Sequence, residues 1–66
     1  MTTVNMDEKR AREIIGDCIE PDGGLYDSYW FIKWHPDDTE ITIDTSCTVD
    51  QLEAIIFWMK LKGRNL

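Results

Sequence analysis

"YWFIKWHPDDTEITIDT", residues 29–45, decides the fold. Its first six residues are dense in aromatic and β-branched types, and "TEITIDT" (39–45) alternates apolar with polar, so two strands are predicted. "HPDD" (35–38) joins them as a turn, with Pro36 presetting φ and Asp37 and Asp38 placed to bond local backbone. A four-residue loop sets Trp34 opposite Thr39, Ile32 opposite Ile41 and Trp30 opposite Ile43. One side of the ribbon is then Trp30, Ile32, Trp34, Ile41 and Ile43. The other matches Lys33 with Glu40 and Phe31 with Thr42, leaving Tyr29 near Asp44. A slip of one residue would destroy both faces.

A lone hairpin is marginal in water, so the flanking segments must cover its apolar side. Upstream, Ala11, Ile14, Ile15, Cys18 and Ile19 recur at helical spacing and predict a helix over about 6–19. Asn5 with Glu8 fits a capping box, with Thr3 and Asp7 competing as caps. "EPDGG" (20–24) ends that helix in a turn. Downstream, the second helix is predicted over about 49–62. Thr48 is its N-cap, Gln51 completes a capping box, and Gly63 is a left-handed C-cap. The hairpin itself spans about 28–45, so the expected fold is α+β, a single α-β-β-α domain over residues 1–66. It is an antiparallel hairpin with both helices packed on one face.

The second helix contains "AIIFWMK" (54–60), which is apolar most of the way round, whereas a surface helix needs only one apolar stripe. Leu52, Ile55, Ile56 and Met59 form the stripe that matches the hairpin. The surplus of Phe57, Trp58 and Leu61, together with Tyr29 and Phe31, predicts an exposed aromatic patch of the kind that marks protein interfaces. Self-association is the simplest use of it. A homodimer forms either edge to edge, through strands that carry no central Pro or run of Lys, or helix to helix through Phe57 and Trp58.

The net charge of −6 is unevenly placed. Eleven of thirteen acids lie between Glu13 and Glu53, with Lys33 the only base among them. That balance excludes direct nucleic-acid binding, which needs a basic face. Asp17, Glu20, Asp22, Asp27, Asp37, Asp38, Glu40 and Asp44 form a candidate acidic surface. It serves solubility, or else mimics nucleic acid before a basic partner.

Chemistry-bearing patterns are sparse. His35 sits in the hairpin turn, and "DDTE" (37–40) follows no calcium-loop spacing. Ser28, Ser46, Cys18 and Cys47 have no sequence-visible base, and no glycine-rich phosphate loop is present. The expectation is therefore no catalytic residue, no cofactor, no metal and no enzyme. No apolar run approaches the roughly 20 residues of a membrane helix, and the polar "MTTVNMDEKR" (1–10) is unlike a secretory signal. A cytoplasmic location follows as an expectation, with Cys18 and Cys47 as small reduced hydrophobes.

"ITIDTSCTVDQLEAIIFWMKLKG" (41–63) resembles the C-terminal half of small phage- and prophage-encoded orphan proteins, where a strand and polar turn precede a "(T/S)xx(E/Q)LEA(I/L)xxWM" helix. Thr48, Gln51, Leu52, Glu53, Ala54, Ile55, Trp58 and Met59 match it, and "YWFIKW" (29–34) fits the strand before it, covering about half of the chain. The resemblance implies a phage or prophage origin, a bacterial host cytoplasm and no particular chemistry. It also implies that a small acidic protein could bind a host protein, for example as an inhibitor of a defence nuclease.

Overall fold

The computed structural model describes residues 6–27 and 31–64. In chain order these form helix α1 (Glu8–Ile15), strands β1 (Leu25–Tyr26), β2 (Ile32–Trp34) and β3 (Thr42–Ile43), and helix α2 (Val49–Lys62). The fold is α+β, and the antiparallel sheet has the order β1-β2-β3. The architecture is thus α-β-β-β-α rather than α-β-β-α: a third strand pairs with the hairpin and leaves β2 in the centre.

Asp7, one of the competing caps, starts α1, its carboxylate accepting the Arg10 N–H at 2.7 Å. Asn5 and Thr3 lie outside the described residues. At Gly16 the helix tightens into a 3₁₀ turn, Gly16–Cys18, and the predicted helix to residue 19 ends there. "EPDGG" is the turn expected. The Gly23 N–H donates to Glu20 O, and the Glu20 N–H donates to Gly24 O. Gly23 holds φ at 91°, a left-handed value that L side chains rarely adopt. Gly24 is needed for a different reason: a Cβ there would meet Trp34 O at 2.8 Å. That close approach brings Leu25 opposite Trp34 and Tyr26 opposite Lys33, forming β1 immediately after the turn.

The β2–β3 register differs from expectation by two residues. Ile32 pairs with Ile43, and Lys33 with Thr42 rather than Glu40. The turn is the cause. The Asp38 N–H donates to His35 O, the His35 N–H to the Asp38 carboxylate, and the Trp34 indole N–H to Asp38 O. These bonds use the chain through Asp38, so the ladder begins further along than Thr39. A slip of two preserves side-chain facing, so Ile32, Trp34 and Ile43 still share one side. Tyr29 and Trp30 lie outside the described residues.

α2 has the predicted bounds and start. Thr48 accepts the Gln51 N–H at 3.1 Å and the Gln51 side chain accepts the Thr48 N–H at 2.7 Å, completing the capping box. Its end differs. Gly63 is extended, at φ −67° and ψ 135°, not left-handed. The straighter exit lets the Arg64 N–H reach Pro36 O at 2.7 Å, tying the end of α2 to the β2–β3 loop.

The core is one cluster: Ala11 and Ile15 from α1, Leu25, Ile32 and Trp34 from the sheet, and Ala54, Ile55 and Trp58 from α2. Ala11 and Ala54 are both fully buried, and side chains this small let α1 and α2 lie close. The α1 stripe is therefore the one expected, but the α2 stripe is not. Leu52 and Ile56, assigned to the interior, are 40% and 52% exposed. Trp58, assigned to the exposed patch, is fully buried. Its indole N–H donates to Gly23 O at 2.8 Å, and Arg12 and Lys62 lie over its ring at 4.9 and 5.3 Å. One ring thus buries its apolar area, satisfies a turn carbonyl and holds two cations. That combination turns the helix so that Trp58 faces inward.

Candidate interaction surface

Turning Trp58 inward sends the opposite side of α2 outward. Val49, Leu52 and Ile56 are exposed at 69%, 40% and 52%, spaced i, i+3, i+7, with half-buried Met59 continuing the line. Glu53 and Lys60, both exposed, border it. Scattered apolar residues on a surface are ordinary, but a helical stripe of aliphatic side chains is a contiguous face.

The predicted aromatic patch loses Trp58. Trp58 is core, Phe57 is half-buried against the core cluster, and Tyr29 lies outside the described residues. Phe31, before β2, and Leu61, near the end of α2, are exposed. The exposed aliphatic stripe is missed by sequence reasoning because Leu52, Ile56 and Met59 are placed in the core. The only signal that could have reversed the assignment was that Trp58, the largest side chain on the helix, gains most from burial.

The acidic surface divides into two groups. Several carboxylates build loops: Asp22 accepts the Gly24 N–H at 2.8 Å, and Asp27 accepts the Phe31 N–H at 2.7 Å and the Ile32 N–H at 3.4 Å. Asp38 closes the hairpin turn, and Asp37 pairs with Arg64 at 3.0 Å. These are the side-chain-to-backbone bonds that short polar residues make in turns. Asp17, Glu40 and Asp44 are exposed, and Glu20 is half-buried.

His35 lies in the turn where the sequence places it. Its Nδ1 accepts the Asp37 N–H at 3.1 Å, and its Nε2 lies 3.5 Å from Asp22. An open cleft of about 580 Å³ runs beside it, bounded by Leu25, Tyr26, Lys33 and Trp34. Among the described residues no Ser, Thr or Cys lines the cleft; the Tyr26 phenol and the Lys33 amine do. Among the described residues, no three His, Cys, Asp or Glu side chains gather as a metal site requires.

Cys18 and Cys47 are free and half-buried, and both line a cavity of about 250 Å³ with Ile15, Ile32 and Ile55. Burial pushes the Cys18 thiol above its usual value, and the nearby carboxylates of Asp27 and Asp17 and the Cys47 thiol push the same way. A thiol held protonated is a poor nucleophile, and Cys18 packs half-buried against the core cluster.

Among the described residues no helix is long and apolar enough to cross a membrane. Compared with protein-family models, curated proteins and solved structures, the chain finds no match in any of the three.

Proposed function

We propose that the chain is a small non-enzymatic protein-interaction module of phage or prophage type, acting in the host cytoplasm. It docks another protein chain through the outer face of α2. The observation that carries this reading is the aliphatic stripe of Val49, Leu52 and Ile56, left exposed by a helix whose core contacts are already complete on its other side. An apolar stripe bordered by charges is the helix half of a helix-to-helix or helix-in-groove contact.

An acidic nucleic-acid mimic has less behind it. Asp22, Asp27, Asp37 and Asp38 are engaged in loop bonds and an ion pair, which explains them without a basic partner. The two readings differ in their response to salt, because apolar docking persists where exposed charge pairs are screened. The test is capture of binding partners, with a separately tagged copy of the chain added, from host extract at about 0.5 M NaCl, with wild type and with the double substitution Leu52→Asp, Ile56→Asp. The module reading expects capture to persist in salt and to vanish in the double variant. Capture that salt abolishes and that Glu40→Gln with Asp44→Asn weakens would instead establish the mimic.

A further inference from the structure

The partner seated on this face is identified by the charges beside it, and the inference rests on the outer face of α2 being the docking surface. We propose that the occupant is a second copy of the chain, the two α2 helices lying antiparallel across a two-fold axis near Ile56. Glu53 of each copy then stands beside Lys60 of the other.

Val49, Leu52, Ile56 and Met59 are separated by 3, 4 and 3 residues, the alternation that lets two helices interlock side chains along a seam. Glu53 follows Leu52 and Lys60 follows Met59, so both charges border the same edge of the seam. They are seven residues apart, about 10.5 Å along the axis at 1.5 Å per residue. A two-fold axis perpendicular to a helix brings like edges together with their directions reversed. Glu53 therefore meets Lys60 twice in one dimer. A parallel pairing, whose two-fold axis runs along the seam, would carry this edge to opposite sides in the two copies and leave Glu53 and Lys60 without each other, so the charges favour the antiparallel orientation.

The other charges of α2 already serve the fold. Asp50 pairs with Arg10 at 3.8 Å, and Lys62 lies over Trp58. Glu53 and Lys60 take part in none of the ion pairs among the described residues, although Arg10, Arg12 and Arg64 all do. The two groups bordering the seam are thus available to another chain. A seam this short gives weak association, with a dissociation constant on the order of 10–100 µM. The net charge of −6 on each copy opposes it at a distance, but at about 0.15 M salt the screening length of roughly 8 Å leaves direct pairs favoured.

Sedimentation equilibrium of the full chain over a concentration series tests this, with thermal melts confirming that each variant folds. Glu53→Lys alone places Lys against Lys60, and Lys60→Glu alone places Glu against Glu53. Each weakens dimerisation about tenfold, two exposed pairs turning from attraction to repulsion. The combined swap restores wild-type dimerisation to within about twofold. An equimolar mixture of the two single variants forms a heterodimer tighter than either alone, because one copy then carries two lysines and the other two glutamates. A wild type that stays monomeric to about 1 mM overturns the second copy as occupant, as do single variants that dimerise like wild type. If Leu52→Asp, Ile56→Asp still loses capture of a different protein in that case, the docking face stands and its occupant is heterologous. A dimer that survives Leu52→Asp, Ile56→Asp removes the docking face itself.

Discussion

α1 and α2 pack against each other, but they hide their apolar residues in different ways. α1 has one apolar side, where Ala11 and Ile15 are buried, and a charged side with Glu8 and Arg12 paired at 3.1 Å one turn apart. α2 has apolar residues on both sides. Its inner face is Ala54, Ile55 and Trp58, and its outer face is Val49, Leu52 and Ile56. A helix with one greasy side has its orientation written into its period. A helix with two needs a further interaction to choose between them, and here that is the Trp58 indole reaching Gly23 O, thirty-five residues away.

The sharpest way to break this comparison is to remove the interaction that makes the choice. Trp58→Ala should cost about 3–5 kcal/mol, as large aromatic truncations do in cores. A 66-residue domain has little more stability than that, so the variant should be unfolded by far-ultraviolet circular dichroism at 25 °C. Ile56→Ala on the outer face should cost the single chain less than about 1 kcal/mol at concentrations where it is monomeric, because half of that side chain stays in water on folding. Equal losses in the two variants would mean that the inner and outer faces have been confused.

The next largest effect tests the line along which the helices meet. Ala11 and Ala54 are fully buried, and packed interiors resist added volume. Ala54→Leu should destabilise by roughly 1–3 kcal/mol, read from the urea midpoint. A neutral or stabilising result would show a gap between the helices that close packing excludes.

How much of this was legible in the sequence depended on the range of the signal. The start of α2 was readable because caps are local: Thr48 and Gln51 are neighbours that satisfy each other's backbone groups, whereas the left-handed cap expected at Gly63 did not form. The hairpin was readable because alternation is local too. Its register was displaced by two because a turn stabilised by the Trp34 indole is longer than its four-letter signature. β1 was missed because two residues, Leu25 and Tyr26, carry no period. What makes them a strand is Gly24 passing within reach of Trp34 O. The candidate surface was misread for the same reason as the helix: the choice of face is a long-range bond, and the surplus of apolar residues was visible while its direction was not.

Removing the cap from each helix sharpens the contrast more gently. Thr48→Ala should cost about 1 kcal/mol, and Asp7→Ala, which removes the carboxylate bonded to the Arg10 N–H, a similar amount. Their consequences for shape should differ. Trp58, Ala54 and Ile55 hold α2 in the core beyond its first turn, so Thr48→Ala should fray only that turn. α1 has Gly16 and a 3₁₀ turn at its other end, and its loss of order should spread further. Amide exchange by residue distinguishes the two. Similar protection losses along both helices would mean that Trp58 anchors less of α2 than its burial indicates.

The smallest effect lies where α1 ends. Burial, then Asp27 and Asp17, then Cys47 hold the Cys18 thiol protonated beyond its ordinary value of 9.0. The folded state therefore keeps a proton that the unfolded chain gives up earlier. By linkage, the stabilisation is fully present below the unfolded value and is lost as pH rises through it toward the folded one. Wild type should lose stability relative to Cys18→Ala as pH climbs through and above about 9, with the difference flat well below it, measured as paired urea midpoints. Subtracting the variant removes the titration of lysine and tyrosine common to both chains. Parallel curves through the whole range would mean that Cys18 meets water freely at the end of α1, and that the cavity it shares with Cys47 is open rather than part of the core.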